Sequence, residues 1–326
     1  MGQMIMSYNP LVSIIINTHN NVDYLAEAIE SACAQTYSNT EIIVYDNAST
    51  TDIKSVIAPF KSKLRYYRSE HFLTLGQARN EALKKAEGEL IDFLDADDLF
   101  FPQKLEKQVP LFEDPNVGLV YSNTYFMRKI NANWKEFLRY TEPQPEGNIF
   151  DKLLMDYNIS FDTAIFRKAA IGTESNQWFY HQFNMCTDFD LFLKISHAYE
   201  VKYVDEGLSK WRFTGQNWSI VNLHLDAVER FMMIHRMLEY NSDLFQEFPK
   251  QMHIYLSIMY KQHMRYFWSI GQKKEALLSA CHSLLLRLNL KVLLGAVLVP
   301  WCSYKRFNEI RLKFSKYKSL NENTGI

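Results

Sequence analysis

Leu90-Ile91-Asp92-Phe93-Leu94-Asp95-Ala96-Asp97-Asp98 is an apolar run that breaks into three carboxylates within four residues. The run over 90–94, interrupted only by Asp92, reads as a strand buried on both faces, which is the pattern of a parallel sheet covered by helices. Working outward toward the amino terminus, 41–45 is a second apolar strand and 11–16 a third, β-branched one. Residues 22–35 carry Leu25, Ala28, Ile29, Ala32 and Cys33 at helical spacing, and 76–86 reads as another helix. Strands alternating with helices predict an α/β fold with a mainly parallel central sheet. Downstream, Pro102 is placed to open a helix over 103–112, because its missing amide hydrogen has no partner to lose at a first helical position. A strand follows at 118–121. The stretch 141–147, with two prolines and a glycine and no apolar residue, is a dividing loop. Beyond it come a helix over 188–198 and short strands at 201–204 and 208–213.

From about residue 223 Gly and Pro almost vanish, and apolar and basic residues recur at helical intervals, so the carboxyl-terminal region reads as a helical appendage. This divides the chain into 1–222 and 223–326, the front part having a nucleotide-binding half over about 10–121 and a catalytic, acceptor half over about 122–222. Between 284 and 318 eight Lys and Arg face the single acid Glu309, interleaved with Leu, Val, Trp and Phe. That is the composition of a surface that lies on an anionic membrane, and equally of a helical face packed on one side and solvated on the other. The formal net charge is −1, so no overall field draws the protein to nucleic acid and no nucleic-acid partner is expected. Cys33, Cys186, Cys281 and Cys302 stand far apart, which reads as inert thiols in a reducing compartment. No signal peptide and no apolar run of spanning length is evident, so residence in the cytoplasm is expected, with peripheral contact at the inner face of the membrane through the basic helices.

Three carboxylate groups carry candidate chemistry. Asp95, Asp97 and Asp98 sit at the carboxyl end of a strand, where open α/β sheets bind ligands. Crowded carboxylates repel, and a hard divalent cation shared with substrate phosphates relieves them; an acidic turn capping the next helix would use the same residues. Asp46-Asn47-Ala48-Ser49 repeats the arrangement at a second strand end, where it also matches an ordinary turn. Asp188, in Thr187-Asp188-Phe189-Asp190, opens a helix, where the helix dipole favours an ionised carboxylate whether or not it acts as a base. The histidines, His19 included, show no paired ligand spacing. Gly-x-Gly-x-x-Gly and Gly-x-x-x-x-Gly-Lys are both missing, which argues against dinucleotide oxidoreductases and phosphate-loop ATPases.

In order along the chain, Val12-Ser13-Ile14-Ile15-Ile16-Asn17-Thr18-His19-Asn20, Asp46-Asn47-Ala48-Ser49, Gly76-Gln77-Ala78-Arg79-Asn80 and Leu94-Asp95-Ala96-Asp97-Asp98 with Pro102 and Lys104-Leu105-Glu106 resemble the inverting glycosyltransferases of family 2 with the GT-A fold, the type that builds bacterial polysaccharides. The resemblance covers about 12–219. It implies that Thr18 and Asp46 line a nucleotide pocket with Asp46 on the base, that Arg79 helps hold it, that Asp95 faces ribose or metal, and that Asp97 ligates Mg or Mn. Asp188 matches the Asp of the family's Glu-Asp motif and becomes the expected base. The implied donor is a nucleotide-diphospho-sugar, a UDP-sugar by default, and the acceptor a saccharide or lipid-linked saccharide in cell-surface polysaccharide or lipopolysaccharide synthesis. Three positions depart from the pattern: Thr187 stands where Glu is usual, Asn47 where a second Asp is common, and Thr214 where His is frequent. These departures bear on the metal shell and the late loop. They keep open a catalytically inactive relative that binds nucleotide sugar or serves as a scaffold. A nucleotidyltransferase is less well matched, because 11–21 has neither Gly nor Lys.

Overall fold

The computed structural model describes residues 8–131, 133–172, 178–215, 217–218, 222–300 and 302–306. The chain forms two compact units, Met1–Ile220 and Val221–Ile326. In the first, β1 (Val12–Thr18), β2 (Thr40–Asp46), β3 (Arg65–Arg68) and β4 (Leu90–Asp95) lie parallel in the order β3-β2-β1-β4. Each β-branched run pairs on both sides, and helices cover both faces. Helix α1 (Leu25–Cys33) buries Leu25, Ala28, Ile29 and Ala32 against Ile14, Ile16 and Val44. The sheet then turns mixed: the order continues β8-β6-β9-β5, with β8 (Ile165–Arg167) antiparallel to β4 and to β6 (Val117–Ile130), and β9 (Glu200–Phe213) parallel to β6. The two-residue β5 (Leu99–Phe100) and the hairpin strand β7 (Asn133–Leu138) complete it. This curled, mostly parallel sheet flanked by helices is the GT-A-like fold expected.

Several local expectations are corrected. The strands expected at 201–204 and 208–213 are one strand, β9, because the irregular register around Asn123 and Gly207 lets the ladder continue through the Asp205-Glu206 break. The short strand at 118–121 extends to Ile130, since its second half pairs with β7 outside the core, where the apolar signal fades. Pro102 lies before the helix, not in its first turn: Gln103 is the capping residue of α4 (Lys104–Gln108). That helix tightens to a 3-10 turn over Val109–Glu113, because Pro110 has no amide hydrogen and crowds the preceding turn.

Helix α3 (Leu75–Leu83) starts on a reciprocal cap: the Thr74 side chain accepts from Gln77 N, and the Gln77 side chain accepts from Thr74 N. At Gly76 an added Cβ would lie 2.1 Å from the carbonyl oxygen of Tyr180, so only glycine admits that close approach. Among the described residues this unit also has the α-helices α2 (Ile53–Ile57), α5 (Phe150–Met155) and α6 (Thr187–Ala198).

The second unit contains α7 (Leu223–Tyr240), α8 (Leu244–Glu247), α9 (Pro249–Ser269), α10 (Lys273–Leu286) and α11 (Leu290–Leu298). Met264, Trp268, Ala276, Ala280, Val292 and Val299 form one of its core clusters. Among the described residues no helix is long and apolar enough to cross a membrane. The part of the expected basic surface beyond residue 306 lies outside the described residues.

Candidate active site

The parallel register sets Thr18 opposite Asp46, Asn17 opposite Asp95 and Asp46 opposite Arg68, so the carboxyl ends of β1, β2, β3 and β4 open on one edge. That edge is where ligands bind in open α/β sheets. The buried Thr18 hydroxyl donates only a long bond to the carbonyl of Asn21, at 3.5 Å. Both polar atoms of the neighbouring Asn17 carboxamide are buried and have no partner among the described residues. An orphaned amide at such an edge is a group that a bound ligand would satisfy.

Asp46 is fully buried, and its carboxylate is committed within the protein. One oxygen accepts from Ser49 N at 2.8 Å; the other accepts from Tyr66 Oη at 2.7 Å and Arg68 Nη1 at 2.9 Å. These three bonds hold the turn in shape and leave Oδ1 with one further acceptor position. Asn47 is likewise tied, exchanging side-chain bonds with the backbone of Leu73. Ala48 takes a left-handed φ of 53°, which this network holds in place.

Arg79 is also buried rather than turned toward an open pocket. Its guanidinium donates to the Thr187 hydroxyl, lies 3.6 Å from Asp95 Oδ1, and stacks 3.8 Å over the Phe161 ring. It thereby joins the end of β4 to the start of α6. Thr187, where Glu was the expected type, supplies a neutral acceptor, so the charge on Arg79 is left to Asp95 and the nearby Asp188. Asp188 follows in the first turn of α6, half-buried, and accepts a 2.6 Å bond from Tyr157 Oη. Burial, then Asp188, holds the Tyr157 hydroxyl protonated well above the usual phenol range, and its ring stacks on Phe189.

Asp95, Asp97 and Asp98 separate into different environments. Burial raises the Asp95 carboxyl above its ordinary value; Arg79 opposes this, while Asp162 and Asp188 reinforce it. Asp97 is pushed up to about 6, first by burial and then by Asp95. Asp98 is buried and accepts the Arg212 backbone N–H at 2.8 Å, so it is a structural acid that anchors β9 to the acidic turn. Asn217 ties the late loop to the same turn, bonding the Arg212 carbonyl at 2.6 Å and Asp97 Oδ2 at 3.4 Å, and accepting from Thr214. Thr214 therefore closes the loop on Asn217. The Arg212 side chain bonds Glu27 and stacks 4.0 Å over Tyr24.

Sequence reasoning missed Asp162, Tyr157 and Arg68. Asp162 is buried and accepts from the hydroxyls of Ser160, Thr124 and Ser209, a site assembled from three separate segments. The aromatic pair Tyr66-Tyr67 between Arg65 and Arg68 is a local signal for an edge strand. Nothing local marks Asp162 or Tyr157.

Among the described residues no group of three or more His, Cys, Asp or Glu forms a closed metal centre. A hard divalent ion that works on phosphates takes one or two carboxylates and completes its shell with water and substrate oxygens, so a closed centre is not needed. Asp97 and Asp95 fit that donor set: hard oxygens, with the Asp97 carboxyl shifted upward by burial first and by Asp95 second.

An edge of parallel strand ends, an acidic turn of this kind and a curled mixed sheet define a GT-A-type domain. Residues 13–173 match the model of the glycosyl transferase family 2 domain. Among its relatives are an uncharacterised glycosyltransferase of Rickettsia bellii, 30% identical over 65% of this chain and 30% of that one, and two proteins of Escherichia coli. Both of these are UDP-Glc:alpha-D-GlcNAc-diphosphoundecaprenol beta-1,3-glucosyltransferases. WfaP is 40% identical over 35% of this chain and 46% of its own. WfgD is 28% identical over 63% of this chain and 78% of its own. The chain spans between 30% and 65% of the length of the five Rickettsia relatives it matches. Among solved structures, S. aureus TarS superposes with a TM-score of 0.61 at 19% identity, covering 86% of this chain and 50% of that one. The mannosyltransferase PcManGT from Pyrobaculum calidifontis, in complex with GDP-Man and Mn2+, superposes at 0.57 and 16% identity, covering 94% and 85%. These likenesses establish the fold.

Proposed function

We propose that this chain transfers a sugar, with inversion, from a nucleoside diphosphate sugar to a hydroxyl of a saccharide acceptor. The observation that carries the proposal is the Asp188 carboxylate, fixed by Tyr157 at 2.6 Å at the start of α6 and close enough to Arg79 and Asp95 to influence both. A base for a sugar hydroxyl needs a carboxylate that stays ionised and keeps one oxygen for the acceptor, and Tyr157 occupies only Oδ2 among the bonds formed here. In this reading Asp188 removes the acceptor proton as the oxygen attacks the anomeric carbon, and a single displacement inverts that carbon. Asp97 and Asp95 would hold Mg or Mn, which when bound offsets the charge gathering on the departing diphosphate. Arg79 keeps Asp95 and the α6 start in register, and Thr18 and Asn17 line the strand edge for the nucleoside. UDP is the donor base to test first, since the E. coli relatives are named for UDP-Glc.

Calorimetric titration with UDP, GDP and TDP, with and without Mn, provides the test. The expected result is binding of one nucleotide that depends on Mn and is lost in Asp97→Ala, by at least about tenfold in affinity, as when a charged hydrogen-bonding partner is removed. A folded protein that binds none of the three would favour the scaffold reading instead.

The carboxyl-terminal unit supports a second element of the proposal, peripheral attachment to the cytoplasmic face of a membrane, where lipid-linked acceptors are met. At the end of α10 and along α11, Leu285, Leu288, Leu290, Leu294 and Val297 are 83, 75, 71, 60 and 59% exposed. Soluble surfaces rarely leave so many large apolar side chains together. Arg287 and Lys291 lie among them, and from 276 to 306 there is no Asp or Glu. Leucines inserting below a basic rim suit an anionic bilayer. In vesicle sedimentation the triple change Leu285→Ser, Leu290→Ser and Leu294→Ser is expected to weaken binding to phosphatidylglycerol vesicles by at least about three orders of magnitude, given roughly 1.5–3 kcal/mol per fully buried leucine. Equal recovery of both proteins would overturn this attachment.

A further inference from the structure

Beyond the acidic turn, β7, β6 and β9 form a three-stranded ribbon whose two faces differ in chemistry. The register sets Phe126 between Phe137 and Trp211, and Arg128 between Lys135 and Phe213. Alternation along each strand therefore places Phe126, Arg128, Lys135, Phe137, Trp211 and Phe213 on one face. The side chains agree: Phe126 and Trp211 have ring centroids 4.4 Å apart, Trp211 and Phe213 6.1 Å, and Arg128 lies 5.3 Å over the Phe137 ring. Phe126, Arg128, Phe137 and Phe213 line a cavity of about 260 Å³. Phe137 and Phe213 are 46 and 39% exposed, so the aromatic face is open to solvent.

The charge on this face is one-sided. In 117–138 and 207–213 the only acid is Glu136, and it pairs with Lys210, which alternation assigns to the opposite face. The face also leads into the candidate active site. Two residues upstream of Phe126 and Trp211, the hydroxyls of Thr124 and Ser209 reach Asp162. Immediately after Phe213, Thr214 and Asn217 lead to Asp97.

We propose that this face is the acceptor subsite and that its occupant is a saccharide carried on a diphosphate. Sugar rings present apolar C–H faces that lie flat on exposed aromatic rings. The cavity is smaller than the roughly 300 Å³ at which drug-sized pockets begin, which suits one sugar ring and not a nucleotide. Arg128 and Lys135 supply the cations that a diphosphate ester requires, and Arg128 brings the planar donor set that matches phosphate oxygens. The proposal rests on the transferase reading for calling this ligand an acceptor; the binding itself does not depend on that reading.

The test is direct titration of the full chain with a short-chain alkyl N-acetylglucosaminyl diphosphate, beside the uncharged alkyl N-acetylglucosaminide and the alkyl diphosphate without sugar. The wild type is expected to bind the complete probe at least about tenfold more tightly than either fragment. Arg128→Gln should remove the preference for the diphosphate, and Phe213→Leu, which keeps apolar volume but not the ring, should remove the preference for the sugar. Nucleotide affinity and melting temperature should stay unchanged in both variants. Failure of the wild type to bind the probe, or equal binding by wild type and both variants, would overturn the proposal. If the variants lose the probe and no nucleotide binds, the acceptor face stands and the donor reading falls. If nucleotide binds with Mn while the variants keep full probe affinity, the donor reading stands and this one falls.

Discussion

Asp188→Asn is expected to lower the turnover of sugar transfer by about three orders of magnitude, within the 10²–10⁴ range that a positioned general base contributes. The amide keeps the shape of the carboxylate and can still meet Tyr157 Oη, whose bond at 2.6 Å holds the side chain at the start of α6. What it loses is the ability to take the acceptor proton, so the loss should fall on kcat, with affinity for the metal–nucleotide pair within about twofold of wild type. Tyr157→Phe separates positioning from chemistry. It leaves the base in place but unanchored, and should cost roughly tenfold, about the worth of one hydrogen bond to a charged group. Steady-state kinetics with the donor that calorimetry selects would measure both. Near-normal turnover in Asp188→Asn would move the base elsewhere.

Lys104→Met should have the largest effect on stability. Lys104 and Asp92 are both completely buried and form an ion pair at 2.6 Å that clamps α4 to β4, three residues before Asp95. Removing the cation leaves a buried carboxylate alone, an error that costs about 3–5 kcal/mol. Burial already pushes Asp92 up to about 6 against the opposing Lys104 charge, so without the lysine its folded value rises further. A carboxyl raised on folding binds more protons in the native state. Its favourable contribution is complete below the unfolded value near 4 and is lost as pH climbs through the folded value. The variant should therefore lie closest to wild type near pH 5 and farthest from it near pH 8, as read by urea unfolding at both. Adding Asp92→Leu removes the stranded charge and should restore most of the loss, because a buried pair replaced by apolar residues is often neutral. A loss independent of pH that the second change fails to relieve would show that packing, and not charge, sets the effect.

Much of the front unit was legible locally because its signals are local. Val12 to Ile16, Ile42 to Tyr45 and Leu90 to Leu94 are apolar runs that pair in parallel, and Leu25, Ala28, Ile29 and Ala32 share one helical face. The strand ends therefore place Thr18, Asp46 and Asp95 on one edge without any tertiary information beyond parallel pairing. Strands at the margin escaped that reading. The second half of β6 and all of β7 carry Lys, Arg and Asn on exposed faces, so no buried face imposes a period on them.

What the amino-acid sequence determined by itself was the alternation of strand and helix and the clustering of carboxylates at strand ends, since periodicity and adjacency are properties of neighbours along the chain. Only the tertiary structure decided how each polar group is used. Asp46 looks unengaged in sequence, yet Tyr66 and Arg68, about twenty residues on, both bond its Oδ2. Arg79 reads as a pocket residue, but Thr187 and Asp95 hold it inside. Asp98 resembles Asp97 until the backbone of Arg212 claims it, and Asp162 has no signature because its three hydroxyl partners come from segments up to 47 residues away. A buried polar group must be satisfied by whichever partner the fold brings within reach, and that partner is set by chain crossings that no local pattern records.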